Sequence, residues 1–208
     1  MGIRAVLFDI GGVLERVDDP ELAFGRRWRE RLGMTRTGFN RAMASVDPDQ
    51  LSATGGLSET EYRARCAVAL GLTGQQADEF MADMWDWYCG ELDAELFAFA
   101  ASLQPTLVTA ILSNSADGAR REEQARYSFH EVFDPIIYSH EVGLAKPDPR
   151  IFELACARIG VPPGELVFID DVAEIIEAAR DLGIHGILHQ NTPETIAAVR
   201  ALITMARQ

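Results

Sequence analysis

Short apolar runs alternate with helical patterns over most of this chain. After the N-terminal run Ala5-Val6-Leu7-Phe8, four runs rich in aliphatic and β-branched residues predict strands at 107–112, 136–138, 166–169 and 186–188. Helical patterns separate or follow these runs near residues 94–102, 117–127, 150–159, 173–182 and 193–206. Strand–helix alternation is typical of a parallel sheet with right-handed crossovers. The pattern therefore predicts an α/β fold with a Rossmann-like parallel-sheet core.

The stretch from residue 15 to about 90 shows helix signals and no convincing strand. Helix starts are indicated at Asp19-Pro20, Ser58 and Thr73, the last two as capping boxes, and a weaker helix is predicted near 37–46. This organisation predicts a small four-helix cap inserted into the α/β core.

The division into domains follows from this change of pattern. We predict a core domain made of residues 1–14 plus 91–208 and a helical cap domain made of residues 15–90. Because the insert leaves the core just after the loop that follows Asp9, it is expected to overhang the carboxyl end of the sheet.

Aromatic and methionine side chains are concentrated in the helical stretch, at Trp28, Met81, Met84, Trp85 and Trp87. Their helical spacing is typical of a buried core between helices. A ligand pocket in the cap is the alternative interpretation of the same residues.

Composition and charge bound the partners. The 208 residues include 19 Lys and Arg against 32 Asp and Glu, a formal net charge of −13. Such a balance argues against nucleic acid and anionic membrane surfaces as main partners. An anionic substrate would need a local cation or metal to offset this charge.

Cysteine usage and hydropathy predict a cytoplasmic location. Cys66, Cys89 and Cys156 are odd in number and lack CxxC spacing, so we expect reduced thiols rather than disulfides or a zinc site. No apolar run has membrane length, and the N-terminal run is interrupted at Asp9, too early for a signal peptide.

Candidate chemistry begins where the first strands end. Asp9 follows the N-terminal run, and its carboxylate is suited to attack a phosphorus atom and form a covalent intermediate. Gly11 and Gly12 let the backbone approach a phosphate or a metal closely. Ser113 and Asn114 follow the next strand, where a hydroxyl and backbone N–H groups can hold phosphate oxygens.

Two later positions complete the set. Lys146 precedes Pro147, which disfavours helix at the lysine, so its ammonium is expected on an extended loop where it can neutralise phosphate charge. Asp170 and Asp171 end a strand, and two adjacent carboxylates call for a cation. With Asp9 they form an oxygen-only set that favours Mg²⁺ over zinc.

In this order the four strings resemble motifs I to IV of the haloacid dehalogenase-like (HAD) superfamily. The strings are Phe8-Asp9-Ile10-Gly11-Gly12, Ser113-Asn114-Ser115, Gly143-Leu144-Ala145-Lys146-Pro147-Asp148 and Ile169-Asp170-Asp171. The resemblance implies a hydrolase of small phosphorylated molecules with a small helical cap. It also implies that Mg²⁺ is held by Asp9, by a motif IV acid and by the backbone carbonyl of Gly11.

The chain departs from the superfamily pattern at two places. Typical HAD phosphatases carry a second aspartate, a general acid and base, where this chain has Gly11. General acid–base catalysis is commonly worth about 10²–10⁴-fold in rate. An asparagine that helps to fix the motif IV loop is replaced by Ile175.

Three functions remain open at this stage. The first is a Mg²⁺-dependent phosphatase that favours leaving groups needing little protonation, such as anomeric sugar phosphates or acyl phosphates, or that takes its proton from Glu15, Asp18 or Asp19. The second is a 2-haloacid dehalogenase, which also lacks the second aspartate but, by resemblance, lacks the motif IV acid pair. The third is a catalytically weak binding protein with the HAD fold.

Overall fold

The computed structural model describes residues 2–17 and 24–205. Within these residues the strands are β1 (Ala5–Phe8), β2 (Glu15–Arg16), β3 (Glu91–Leu92), β4 (Val108–Ser113), β5 (Ile136–Tyr138), β6 (Leu166–Asp170) and β7 (His185–Leu188). The helices are α1 (Phe24–Leu32), α2 (Arg36–Ala44), α3 (Glu59–Leu70), α4 (Gly74–Cys89), α5 (Ala94–Ser102), α6 (Ala119–Tyr127), α7 (Ser139–Val142), α8 (Pro149–Ile159), α9 (Ala173–Asp181) and α10 (Thr192–Met205). No helix in these ranges is long and apolar enough to cross a bilayer.

Five strands form one parallel sheet in the order β5-β4-β1-β6-β7. Successive residues of β1 face opposite layers, because side chains alternate along a strand. Val6 and Phe8 belong to the apolar core shared with α5 and α10, whereas Ala5 and Leu7 belong to the core shared with α8 and α9. The expected α/β fold with a parallel sheet is confirmed, and β1 lies at its centre.

Helices α1 to α4 lie between β2 and β3, and we call them the helical insert. They have their own apolar core, in which Trp28 and Phe80 are fully buried with ring centroids 5.1 Å apart. The capping boxes expected at Ser58 and Thr73 are both present. The helix start expected at Asp19-Pro20 lies outside the described residues, and the exact domain division, 15–90 against 1–14 plus 91–208, stays a prediction.

One local expectation was wrong. The region from residue 15 to 90 was expected to hold no strand, yet β2 occupies Glu15–Arg16 and pairs antiparallel with β3, with Glu15 opposite Leu92. A strand of two residues shows no alternation in the sequence, and its hydrogen-bond partner lies more than 70 positions away. This ribbon joins the insert to the core at the carboxyl edge of the sheet.

Polar contacts fix the insert against the core. The backbone N–H of Glu59, at the start of α3, donates to Asp117 at 2.9 Å, and its carboxylate pairs with Arg121 on α6 at 2.8 Å. Arg126 on α6 reaches Asp86 on α4 at 2.7 Å. The loop after β4 and the helix α6 are thereby held against the insert.

Candidate active site

The sheet brings the sequence-predicted residues together at the carboxyl ends of neighbouring strands. Asp9 follows β1, and its backbone N–H donates to the Ile169 carbonyl on β6 at 2.9 Å. Because β1 lies between β4 and β6, Ser113 and Asp170 flank Asp9 on either side. In open α/β sheets this edge is where ligands bind.

Lys146 lies at the centre of this group. Its Nζ is 2.8 Å from Oδ1 of Asp9 and 2.6 Å from Oδ2 of Asp170, and its side chain is 1% exposed. Burial alone would lower the pKa of Lys146, but the two carboxylates outweigh burial and raise it, so the ammonium is retained. One buried cation therefore compensates two buried carboxylates.

The pKa of Asp9 reflects the same competition. Burial raises the pKa of this carboxyl above its usual range, the ammonium of Lys146 opposes that shift, and the charge of Asp170 adds to it. Since one ammonium is shared between two carboxylates, the group keeps a net negative charge. A further cation at this edge would stabilise it.

The acidic residues fit a divalent metal. Asp9, Asp170 and Asp171 each offer a carboxylate oxygen, and these atoms lie within 4.8 Å of one another. Asp171 is the exposed member, so it faces an incoming ion, whereas Asp170 is fully buried. An oxygen-only donor set suits Mg²⁺. These residues therefore fit a magnesium ion.

Gly12 shapes the same corner of the site. Its φ of +76° lies in the left-handed region, and a Cβ there would stand 2.3 Å from Oδ2 of Asp171. Gly11 differs, because a Cβ at this position would have no neighbour within 4 Å. The chain thus needs glycine at position 12, while the position of the missing second aspartate is sterically open.

Asn114 contacts the lysine loop directly. Its Nδ2 donates to the Lys146 carbonyl at 2.9 Å, and the Lys146 backbone N–H donates to its Oδ1 at 2.8 Å. This double hydrogen bond holds the extended loop that positions Lys146. Because 32 residues separate the partners, no sequence spacing indicated it. The phosphate-binding role assigned to Ser113 and Asn114 stays a prediction.

These residues surround a cleft of about 330 Å³. Most of the predicted site residues line it, whereas Asp170 lies buried beside it. The lining residues are Asp9, Gly11, Glu15, Val17, Trp87, Tyr88, Ser113, Asn114, Glu123, Lys146, Asp171, Val172 and Ile175. Ile175, which replaces the expected asparagine, packs its side chain into the core beneath the cleft.

Two buried carboxyl groups in this cleft are unusual. Both side-chain oxygens of Glu15 and one of Glu123 have no hydrogen-bond partner. Burial raises the pKa of Glu15 to about 10, and the charges of Glu123 and Asp9 add to this shift. Burial likewise raises the pKa of Glu123 to about 8, although the Tyr138 hydroxyl donates to it at 2.5 Å. Glu15 is therefore a neutral acid at pH 7, next to the cleft.

Sequence reasoning found one of these acids and missed the other. Glu15 was one of three candidates for supplying a proton, and Asp18 and Asp19 lie outside the described residues. Glu123 was not singled out, because Arg120-Arg121-Glu122-Glu123 is typical of a solvated helix face. In the fold its side chain is fully buried and lies against Tyr138 of β5.

The chain has relatives among known proteins. The chain is 29% identical to bifunctional epoxide hydrolase 2 of Sus scrofa over 99% of its own length, and spans 41% of that relative. It is 27% identical to a phosphatase of Mycobacterium tuberculosis over 94% of this chain and 91% of the relative.

Solved structures and a family model agree on the fold. A HAD family enzyme of Bacteroides thetaiotaomicron, solved in complex with magnesium and inorganic phosphate, superposes with a TM-score of 0.74. It is 24% identical and covers 91% of this chain and 95% of its own. The family model of haloacid dehalogenase-like hydrolases matches residues 3–183. This chain therefore belongs to the haloacid dehalogenase-like hydrolases.

Proposed function

We propose that this chain is a Mg²⁺-dependent phosphatase of small phosphomonoesters, with Asp9 as the nucleophile. The observation that carries the proposal is the grouping of Asp9, Lys146, Asp170 and Asp171 at one edge of the sheet. A nucleophile, a buried cation and an additional pair of acids meet there. The phosphatase among its relatives supports the same chemistry.

The metal would be held by carboxylates that the sheet already brings together. Asp9, Asp170 and Asp171 are the side-chain ligands in this proposal, and the Gly11 carbonyl is a further ligand implied by the superfamily pattern. Magnesium bound there supplies positive charge that lets an anionic nucleophile approach an anionic phosphate. The magnesium and phosphate complex of the Bacteroides enzyme supports this assignment.

In the first step a carboxylate oxygen of Asp9 attacks the phosphorus atom. A bond forms between Asp9 and phosphorus while the bond from phosphorus to the leaving oxygen breaks, giving an aspartyl-phosphate and an alcohol. The ammonium of Lys146 stabilises the charge that develops on the phosphoryl oxygens. Asn114 holds this lysine in place through hydrogen bonds to its backbone. Ser113 lies on the side of Asp9 opposite Asp170, and its hydroxyl is the proposed donor to one of these oxygens.

The proton for the leaving oxygen comes from Glu15 in this proposal. Glu15 lines the same cleft as Asp9, is 1% exposed, and carries a proton at neutral pH because of its burial. After transfer, the Glu15 carboxylate removes a proton from water, which attacks phosphorus and releases phosphate and free Asp9. Glu15 would thus replace the aspartate that is absent at Gly11.

The haloacid dehalogenase alternative rests on that same absence. A halide leaves without a proton, so a dehalogenase needs neither a second aspartate nor a metal. Asp171, packed against Gly12, favours phosphate chemistry because it adds a third carboxylate beside Asp9 and Asp170, which suits a cation that halide release does not need. A catalytically weak binding protein would have no need of a buried Lys146–Asp9 ion pair.

A reducing compartment such as the cytoplasm is part of the proposal. The three cysteines, Cys66, Cys89 and Cys156, are free and buried. Burial raises the pKa of each thiol, which disfavours the reactive thiolate.

The test is phosphate release from a panel of phosphomonoesters and acetyl phosphate, with and without Mg²⁺. We expect Mg²⁺-dependent release that Asp9→Asn abolishes, while the exposed control Asp181→Asn retains it. Release that Asp9→Asn leaves intact contradicts the proposed nucleophile. No release from any compound, with chloride released from 2-chloropropionate, would favour the dehalogenase, and neither product would favour the binding protein.

A further inference from the structure

We propose that a cavity between the helical insert and the loop after β4 receives the leaving-group part of the substrate, and that this part is apolar, an aryl or compact alkyl group rather than a polyol. The inference rests on the phosphatase chemistry proposed above and specifies its substrate class. The cavity lies mainly among α1, α3 and α4 and has a volume of about 210 Å³.

The first observation is that the cavity adjoins the cleft that contains Asp9. Trp87 and Tyr88 line both this cavity and the cleft that contains Asp9. The loop after β4 also borders both, because Ser113 and Asn114 line the cleft while Ala116 and Asp117 line the cavity. In this proposal the ester substituent of a phosphoryl group at Asp9 extends along the two shared aromatic side chains into the cavity.

The second observation is that the cavity walls are mainly apolar. Leu57 contributes apolar surface, and so do Met81, Met84 and Trp85 from the methionine and tryptophan cluster that the sequence left open between core and pocket. Trp28, the remaining member, is fully buried in the core of the insert and does not line the cavity. Met81 and Trp85 are at the same time buried members of the apolar cores, so the expected core packing is present and the cavity lies beside it. Apolar walls of this kind bind apolar groups.

Three polar side chains that line the cavity, Glu59, Asp117 and Ser52, are already paired within the protein. The carboxylate of Glu59 accepts from Nε1 of Trp85 at 2.7 Å and pairs with Arg121. Asp117 accepts from the Glu59 backbone at 2.9 Å, and Ser52 donates to Asp47 at 2.5 Å. A polyol placed here would have to compete with these bonds or leave its hydroxyls unsatisfied, and burying unpaired hydroxyls is unfavourable.

The volume of the cavity limits the size of the group that it can hold. An apolar cavity of about 150 Å³ is large enough for one benzene ring. At about 210 Å³ this cavity accommodates a ring with a short linker. The expected substrates are therefore phosphate esters of small aryl or arylalkyl alcohols.

Two ligands that share a headgroup test the inference without turnover. Binding of 3-phenylpropylphosphonate and methylphosphonate in the presence of Mg²⁺ is measured by calorimetry. We expect the phenylpropyl compound to bind at least about tenfold more tightly, because its ring is removed from water. In parallel, kcat/KM is compared for 2-phenylethyl phosphate, glucose 6-phosphate and acetyl phosphate; the first two are primary alkyl esters that need the same proton.

Matched methionine variants localise the effect. Met84→Gln places an amide in the cavity wall, whereas Met34→Gln makes the same change at a half-buried methionine outside the cavity. We expect Met84→Gln to remove most of the phenylpropyl advantage and Met34→Gln to keep it, with acetyl phosphate turnover unchanged in Met34→Gln.

The outcomes separate this inference from the proposed function. Equal binding of the two phosphonates, or an equal loss in both variants, overturns the inference. If acetyl phosphate is hydrolysed while glucose 6-phosphate equals or exceeds 2-phenylethyl phosphate, the cavity assignment fails and the phosphatase stands. If no ester is hydrolysed but the phenylpropyl preference is present and sensitive to Met84→Gln, the binding site stands and the phosphatase fails.

Discussion

The carboxyl edge of the sheet and the helical insert bury very different groups. At the sheet edge, Lys146 is buried between Asp9 and Asp170 at 2.8 and 2.6 Å, so charge is compensated by charge. In the insert, Trp28 and Phe80 pack ring against ring and the neighbouring cavity is lined mainly by apolar side chains. In the proposed function the first region stabilises a reacting anion, and the second excludes water from the group attached to that anion.

Glu15 lies where the two regions meet. It is carried by β2, the short ribbon strand between core and insert, and its two carboxyl oxygens have no protein partner. A buried acid without a partner is costly unless it stays neutral. The two regions and Glu15 thus differ in their proposed roles. Paired charges form the proposed reaction centre, and apolar side chains of the insert are proposed to select the substrate. One neutral acid lies between them.

The largest effect is expected where the paired charges are broken. Lys146→Met leaves Asp9 and Asp170 buried without their shared cation. Losing one partner of a buried ion pair typically costs about 3–5 kcal/mol of the free energy of unfolding. We expect a destabilisation of this order by urea unfolding, together with a loss of about 10²-fold or more in kcat/KM.

The control for this change is an exposed ion pair at the start of α8, just after the lysine loop. Arg150→Met removes a contact with Asp148, in which the arginine side chain is 69% exposed. Such pairs contribute about 0–1 kcal/mol. If the Lys146 and Arg150 variants lose the same stability and activity, the contrast between buried and exposed charge does not hold.

A smaller effect is expected at the acid between the regions. Glu15→Gln keeps the shape of the side chain but cannot transfer a proton, so hydrolysis of alkyl phosphates is expected to fall by about 10²-fold. Acetyl phosphate should be affected much less, because acetate leaves without a proton. Glu123→Gln, the matched change at the neighbouring buried acid, should preserve this ratio. Equal losses on both substrates in Glu15→Gln would point to a structural role instead.

The open space at Gly11 provides a gain-of-function test. Because a Cβ at Gly11 meets no atom within 4 Å, Gly11→Asp is expected to fold without steric conflict. In the Glu15→Gln background it should restore alkyl phosphate turnover by about tenfold or more, since a carboxyl returns at the usual position of the general acid. Failure to restore any activity in a folded double variant would argue that proton transfer is not what Glu15 supplies.

The last prediction concerns the change of stability with pH. Burial raises the pKa of Glu15 from about 4.5 in the unfolded chain to about 10, so the folded protein binds more protons between these values. The stabilisation from neutral Glu15 is complete below the unfolded pKa and is lost as pH rises toward the folded one. As the pH is raised from about 6 to about 9, chemical denaturation should show wild type losing stability relative to Glu15→Gln. A constant difference across this range would contradict the buried neutral acid.

The grouping of the candidate site residues at one edge of the sheet could be predicted from the sequence because its signals are local. Asp9, Lys146 and Asp170 each stand in a short string at the end of an apolar run, and parallel strands bring such ends to one edge. Strand β2 and the clamp of Asn114 on Lys146 depend on partners that are distant in the chain, so no local pattern indicated them. The buried Glu123 was hidden among charged neighbours for the same reason.

The insert shows a different limit. The helix caps at Ser58 and Thr73 are short-range hydrogen bonds, which a sequence pattern can predict. Whether Met84 and Trp85 face a filled core or a cavity depends on how four helices pack, and helical periodicity is the same in both cases. In the structure Met84 and Trp85 line the cavity, whereas Trp28 is fully buried in the core of the insert.

The central claim, that Asp9 is a nucleophile toward phosphorus, is tested most directly by trapping the intermediate. The protein is mixed with Mg²⁺ and ³²P-labelled acetyl phosphate, quenched in acid within a single turnover, and digested. The account predicts acid-stable, hydroxylamine-labile phosphate on the peptide that contains Asp9, and none in Asp9→Asn. Phosphate release without label on that peptide, or label that persists in Asp9→Asn, would contradict it.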